Sequence, residues 1–408
     1  MNILIVSQYF YPENFRINDL CMELVKKGHK VTVLTGKPNY PEGQYYKGYS
    51  FLKPKNEMWN ELEIIRVAMT PRGKNSIGLL LNYFTYVFFG TLRAKKLVKR
   101  MFDIIYVYEI SPITVAIPAI KLKKKAGIPI IINVQDLWPE NVVAVTESQN
   151  KFSLSIIEHM VRYIYKNCDT ILVPSKSFIP RIQKYVNEKE KIVFWPQYST
   201  VNRYEEHSKQ ELNCRQMEDS FSDKNSFHII FTGNIGKAQG LDLIIDAAQM
   251  IDCNVTWHIL GDGRTRKELE KKVLQEKLEG KIVFYGNKQE SEIPIYLALA
   301  DVALLILKSD PVFDLYLPAK LQTYLACGMP ILGCVGGEAK NLILESQAGL
   351  VCDNVTAKDL AENVIKFADM KQEELVKFSK NALEYSKKYF EKETLMSELE
   401  NHMNKVRR

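Results

Sequence analysis

The chain has 408 residues, with 55 Lys and Arg against 48 Asp and Glu, a net charge of +7. That length suits two domains of ordinary size, and 46% hydrophobic with 25% charged residues excludes a disordered, collagen-like or disulfide-built chain. The modest excess of positive charge permits an anionic partner without demanding nucleic acid.

In chain order, the opening MNILIVSQYF carries an apolar run too short for a secretory signal, with no small-residue cleavage site. It reads as a buried strand over 3–6. A helix follows over 15–27, with Leu20, Met22, Leu24 and Val25 near helical spacing and Gly28 closing it. Strands are predicted at 30–34, 63–67, 104–107, 129–134 and 170–173. Continuous apolar strands alternating with helices predict a parallel sheet covered on both faces.

Residues 77–92 form the longest apolar stretch. It is shorter than the roughly 20 residues of a membrane span, and Asn82 and Thr85 interrupt it. Arg72, Lys74, Arg93, Lys95, Lys96, Lys99 and Arg100 flank it, and residues 71–102 contain no acid. Outside that stretch the charges balance at 48 against 48. A buried helix is one reading. The charge favours a helix lying on an anionic membrane surface through residues 72–100.

Residues 196–226 are polar and lack a sustained apolar face, as expected of a linker with an insertion. From Phe227 the alternation restarts: strand 227–231, glycine loop 232–240, helix 241–251, strand 255–260, turn 261–263, a charged helix and strand 281–286. A short helix 294–300, strand 302–307, irregular loop 308–319, helix 320–327 and strand 330–335 follow. Residues 357–408 read as helical. The expected organisation is therefore a domain 1–195, a linker 196–226, a second domain 227–385 and a helical tail 386–408. Doubly wound units bind ligands at their strand carboxyl ends, so the expected site is a cleft between the two.

Three elements of the second half suit an anionic ligand. The loop 232–240 leaves a strand for a helix, where glycines allow close approach and free N–H groups meet phosphate; it matches neither the dinucleotide nor the P-loop pattern. The turn Gly261-Asp262-Gly263 also sits at a strand end, with Asp262 by itself reading as a cap of the next helix. Lys320, in a first helical turn, opposes the helix dipole, a cost that makes sense if it shares a diphosphate with the N–H groups; an exposed lysine is the equal alternative. No H-x-x-x-H pairs the six histidines, and no D-x-D ends a strand. The seven cysteines (21, 168, 214, 253, 327, 334, 352) contain no C-x-x-C. No metal or cofactor is expected, and free thiols suit a cytosolic protein.

The order of these elements says more than any one of them. Glycine loop, G-D-G, F-Y-G-N at 284–287, A-D-V at 300–302 and P-x-K-x-x-x-Y-L-A-x-G-x-P from Pro318 follow in fixed succession. In this the chain resembles the family 4 retaining GT-B glycosyltransferases over essentially its whole length. Its closest likeness is to a bacterial O-antigen and capsule subgroup that adds L-fucosamine-type sugars; Ser7 to Glu13 (SQYFYPE) and Asp136 to Glu140 (DLWPE) strengthen that placement. The resemblance implies an α/β GT-B fold of two Rossmann-like domains, with an N-terminal acceptor domain and a C-terminal nucleotide-sugar domain. It implies transfer from a nucleotide diphosphate, UDP by preference, to a lipid-linked saccharide at the cytoplasmic face of the inner membrane. It places Gly233, Asn234, Lys237, Gln239, Gly240 and Lys320 about the diphosphate, with Gly261, Asp262 and Gly263 beside them. Tyr285 and Asn287 would lie near the base, and Asp314, Gln322 and Thr323 at the ribose or sugar. Asn14, Arg16, Glu109, Ser111 and Gln135 would meet the acceptor, and Asp136 would position it or handle its proton.

The chain departs from the family at Asn234 and Gln239, where Arg and Lys are usual, and at Leu315 and Thr323, where paired glutamates are usual. Gln135 stands where many relatives carry a histidine facing O6 of the donor sugar, which suggests a 6-deoxy, N-acetylated donor. A non-hydrolysing UDP-sugar epimerase of the same fold and a non-enzymatic sugar-binding protein are the alternatives.

Overall fold

The computed structural model describes residues 1–51, 55–73, 75–146, 151–200, 221, 223 and 225–407. Most of the segment read as a linker, together with Lys74 and Cys214, lies outside the described residues. The chain divides into two units, Met1–Trp195 with Met396–Arg408, and Pro196–Leu395.

The first unit is built on a sheet of order β3-β4-β2-β1-β5-β6-β7-β8. Its strands are β1 (Asn2–Ser7), β2 (Lys30–Thr35), β3 (Lys55–Trp59), β4 (Leu62–Arg66), β5 (Ile104–Glu109), β6 (Ile130–Val134), β7 (Thr170–Val173) and β8 (Ile192–Phe194). All neighbours pair in parallel except β3 with β4. The β1, β5 and β6 side chains are buried on both faces, which is why these strands read as unbroken apolar runs. The helices are α1 (Arg16–Lys26), α2 (Ser76–Leu97), α3 (Ile117–Ala126), α4 (Glu140–Thr146), α5 (Lys151–Asn167) and α6 (Ile179–Ile182).

Three strands escaped the sequence reading, β3 and β8 here and the short strand Gly349–Val351 of the second unit. The edge strand β3 (KNEMW) is mostly polar, and its hairpin turns through Asn60 and Glu61, both at positive φ (45° and 66°), without the usual glycine. Arg66, buried, ties β4 to β3 through Glu57 at 3.0 Å. The three-residue β8 is too short to show a period.

The second unit carries a wholly parallel sheet of order β11-β10-β9-β12-β13-β14. Its strands are β9 (Phe227–Thr232), β10 (Val255–Leu260), β11 (Ile282–Gly286), β12 (Val302–Ile306), β13 (Ile331–Cys334) and β14 (Gly349–Val351). Successive residues serve opposite faces: Ile229, Phe231, Leu304 and Ile306 join one core, and Ile230, Ala303, Leu305 and Ile331 the other. The helices are α7 (Asp242–Ala248), α8 (Arg266–Gln275), α9 (Ile293–Leu299), α10 (Ala319–Ala326), α11 (Gly337–Ser346), α12 (Ala357–Ala368), α13 (Gln372–Tyr389) and α14 (Lys392–Arg407).

The residues read as one tail, 386–408, divide between the units. From Met396 onward α14 belongs to the first. There Met396, Leu399 and Met403 are buried, Glu400 meets His29 at 2.7 Å and Lys27 at 3.3 Å, and Arg407 meets Asp103 at 2.9 Å.

Candidate active site

In the second unit the site residues gather at the strand carboxyl edge. The turns after β9 and β10 stack backbone on backbone: Gly233 N–H donates to Leu260 O at 2.8 Å and Ile235 N–H to Asp262 O at 2.8 Å. Gly261 has φ 143°, and a Cβ there would fall 1.8 Å from Gly233 O. Only glycine allows this approach. Tyr324 of α10 fixes the same corner. Its hydroxyl accepts from Thr232 N–H at 3.0 Å and donates to Leu304 O at 3.3 Å.

Lys320 enters beneath this corner. Part of the residue is exposed, but its Nζ is buried and without a hydrogen-bond partner. The ammonium lies 3.7 Å from the centroid of the Phe231 ring, and a Cβ on Gly233 would stand 3.1 Å from it. Burial pulls its pKa down to about 7. Pro318, at the N-cap of α10, offers no side-chain acceptor to the first turn. An uncompensated buried cation beside a glycine turn is costly unless an anion completes it.

The surrounding residues take individual positions. Gln239 Oε1 accepts from Gly236 N–H at 3.1 Å and from Asn234 Nδ2 at 3.4 Å, so the two residues that replace the usual cations brace the loop. Lys237 instead lines a hollow of about 410 Å³ with Asp242, Glu268, Lys272 and Lys308, and Lys320 is not part of its wall. Gly240 turns the chain into α7 at φ 65°. Asp262 does not cap α8, contrary to the sequence reading. Its Oδ1 accepts from Gly263 N–H at 2.7 Å, and Thr265 occupies the N-cap. The Tyr285 hydroxyl turns inward to His258 Nδ1 at 2.7 Å, while Asn287 is exposed. Asp314 packs under the Gly336-Gly337 turn, its carboxyl pushed up by burial and by Asp310. Gln322 is buried with Oε1 unpartnered, and the Thr323 hydroxyl bonds back to Ala319 O at 3.5 Å.

In the first unit the carboxyl edge of β1, β5 and β6 collects a carboxyl pair. Glu109 ends β5, fully buried. Its Oε2 accepts Asp136 N–H at 3.3 Å, and its Oε1 has no partner. Burial, and then the Asp136 charge, hold the Glu109 pKa well above the usual carboxylate range. Burial lifts Asp136 to about 7, against a hydrogen bond from Asn141 and the charge of Arg72. Tyr83 of α2 hydrogen-bonds Ser111, and Arg16 at the start of α1 acts on Tyr108. Gln135 donates to Asn133 Oδ1 at 2.6 Å, and Asn14 is exposed on the β1–α1 turn. Glu13 is structural: its buried carboxyl accepts N–H groups of Phe10, Asn39 and Tyr40. Sequence reasoning missed Tyr83 and the place of Arg72 here, because nothing local marks them, and it met Tyr324 only as part of the motif from Pro318, without a role.

Two doubly wound α/β units with polar residues gathered at their strand carboxyl edges are the architecture of the GT-B fold. Residues 214–385 match the group 1 glycosyl transferases and residues 15–197 match Glycosyltransferase Family 4, leaving out only 1–14, 198–213 and 386–408. The chain belongs to these glycosyltransferases. Among particular proteins, it is 24% identical over 341 residues to an Escherichia coli K12 chain described as a colanic acid biosynthesis glycosyl transferase, WcaI, covering 80% of this chain and 82% of that one. The Anabaena HepE crystal structure, in complex with UDP, is similar over 100% of both chains at 14% identity and TM-score 0.67. WaaG, a glycosyltransferase involved in lipopolysaccharide biosynthesis, is similar over 100% of this chain and 99% of its own at 15% identity and TM-score 0.65. At these identities the structures bear on the fold.

Proposed function

We propose that the protein transfers a sugar from a nucleotide diphosphate to a lipid-linked saccharide, in the synthesis of a bacterial surface polysaccharide. The buried, unpartnered Lys320 ammonium beside Gly233 carries this reading. It is a preplaced amine that, once protonated, puts positive charge where a leaving diphosphate needs it. The relative named for colanic acid biosynthesis and the UDP bound by HepE support the polymer and the donor class.

In the reading, Gly233, Gly240 and the first turn of α10 hold the diphosphate with Lys320. The acceptor oxygen bonds to the anomeric carbon as the bond to phosphate breaks, on the same face of the sugar. The acceptor proton passes to the departing phosphate oxygen, so configuration is retained and no side chain is an indispensable base. Asp136, coupled to Glu109, positions the acceptor hydroxyl. Gln135 leaves O6 of the donor without its usual histidine, which suits a 6-deoxy, N-acetylated sugar such as L-FucNAc.

Helix α2 supports the acceptor class and a site on the cytoplasmic face of a bilayer. It leaves a second apolar stripe outside the core. Asn82, Tyr86, Gly90, Ala94 and Leu97 are buried, whereas Ile77, Leu80, Phe84, Phe88 and Leu92 are exposed, Ile77 by 70% and Phe84 by 66%. Lys95, Lys96 and Lys99 are exposed at its end. An apolar stripe beside cations fits an anionic lipid surface.

The test is product analysis by NMR with UDP-linked 6-deoxy and 6-hydroxy N-acetylamino sugars and a polyprenyl-diphosphate sugar acceptor. The reading expects a glycosidic product of retained configuration and preference for the 6-deoxy donor. An inverted anomer would refute the mechanism, and equal turnover of the two donors would refute the assignment to Gln135.

A further inference from the structure

We infer that Arg72 binds the phosphate of the acceptor, forming an anion subsite between the apolar stripe of α2 and the Glu109–Asp136 carboxyl pair. The inference rests on the transferase reading and adds a residue that neither fold nor family assigns.

The backbone holds Arg72 firmly. Its N–H donates to Asn39 Oδ1 at 2.8 Å, and Asn39 N–H donates to the buried Glu13 at 2.7 Å. The guanidinium lies over the Tyr40 ring, 5.7 Å from its centroid. Arg66, Arg266 and Arg407 are paired with carboxylates; among the described residues Arg72 has no such ion pair. Its charge nevertheless acts on Tyr9, Tyr83 and Asp136, which puts it within electrostatic range of this edge of the sheet. It is a cation held at its backbone, with no carboxylate in ion-pair contact among the described residues.

Helix α2 supplies the route. Its inner side meets the site: Asn82 Oδ1 accepts from Gln8 Nε2 at 2.7 Å, and Tyr83 bonds Ser111. Its outer side bears Leu80, Leu81 and Phe84. A helix is about 10 Å across with its side chains. A lipid lying on the outer side therefore brings a headgroup within reach of the residues just before the helix. Two carboxyls already crowd the interior of this edge, so an anionic acceptor needs a cation here, and Arg suits phosphate through its forked donors. The ligand class is a phosphate or diphosphate ester on an apolar chain.

Wild type, Arg72→Gln and Arg72→Lys are compared in binding of farnesyl diphosphate, inorganic pyrophosphate and farnesol. The donor site is first saturated with whichever of UDP, GDP or dTDP stabilises the protein, so that Lys320 is occupied. The inference expects farnesyl diphosphate to bind Arg72→Gln about tenfold or more weakly than wild type, with Arg72→Lys between. It expects pyrophosphate to be weakened likewise and farnesol unaffected. Unchanged affinity for farnesyl diphosphate overturns it, as does an equal loss for farnesol or no binding by wild type. Equal nucleotide stabilisation of all three proteins shows that they are folded. If no nucleotide stabilises any of them the transferase reading itself fails, whereas nucleotide binding with Arg72-independent farnesyl diphosphate binding sinks this inference alone.

Discussion

Asp136 is a carboxyl whose ordinary value near 3.8 is lifted to about 7 by burial, next to a second buried carboxyl. The pair titrates together. Between about pH 4 and 7 the folded state keeps a proton that the unfolded chain gives up, so stability falls as pH rises through that window. Asp136→Asn removes the charge and keeps the shape. Its melting temperature should therefore exceed that of wild type by a few degrees at pH 8 and approach it near pH 4, as followed by circular dichroism. A difference independent of pH would place the strain elsewhere. The two centres differ in how much the sequence reveals. Gly233, Gly261 and Lys320 stand out because close backbone approach and an opposed helix dipole leave a local signature. Arg72 reads only as one of seven flanking charges, and Tyr324 only as one position of the motif from Pro318, because each is joined to its site through distant strands.

At the scale of elements, α2 is the informative case. Its sequence admits either a buried helix or a surface one, since the apolar positions run nearly all round. The fold decides by turning Asn82 inward to Gln8, burying Tyr86 and packing Gly90 against Pro118, which leaves Leu80, Phe84 and Phe88 outside. Replacing Leu80, Phe84 and Phe88 by Ser touches none of the buried positions. Those variants should keep their melting temperature and lose most binding to vesicles containing phosphatidylglycerol. Replacing Lys95, Lys96 and Lys99 by Gln should weaken that binding and reduce its dependence on salt, since each cation near the surface contributes about 1 kcal/mol. Retained binding in both sets, measured by co-sedimentation, would contradict the membrane role. Edge strand β3 shows the opposite limit: polar residues and a glycine-free turn left no period to read.

Over the whole molecule, the alternation of apolar strands with helices made both parallel sheets legible, because strands buried on two faces have few other sequences open to them. The return of Met396–Arg408 to the first unit was not legible, since a Lys- and Glu-rich helix does not name the surface it joins. The second unit carries the central feature of the proposed function, an anion site completed by Lys320. Burial holds this ammonium at about 7, so the free protein is only partly charged there near neutrality. Diphosphate binds the charged form, and binding above that value must take up a proton. Calorimetric titration of the preferred UDP-, GDP- or dTDP-sugar, from pH 6 to 9, into wild type and Lys320→Met tests this most directly. The account predicts affinity that falls as pH rises through 7, proton uptake at pH 8, and loss of both the pH dependence and at least tenfold of the affinity in Lys320→Met. Equal affinity of the two proteins, with the same pH profile, would contradict it.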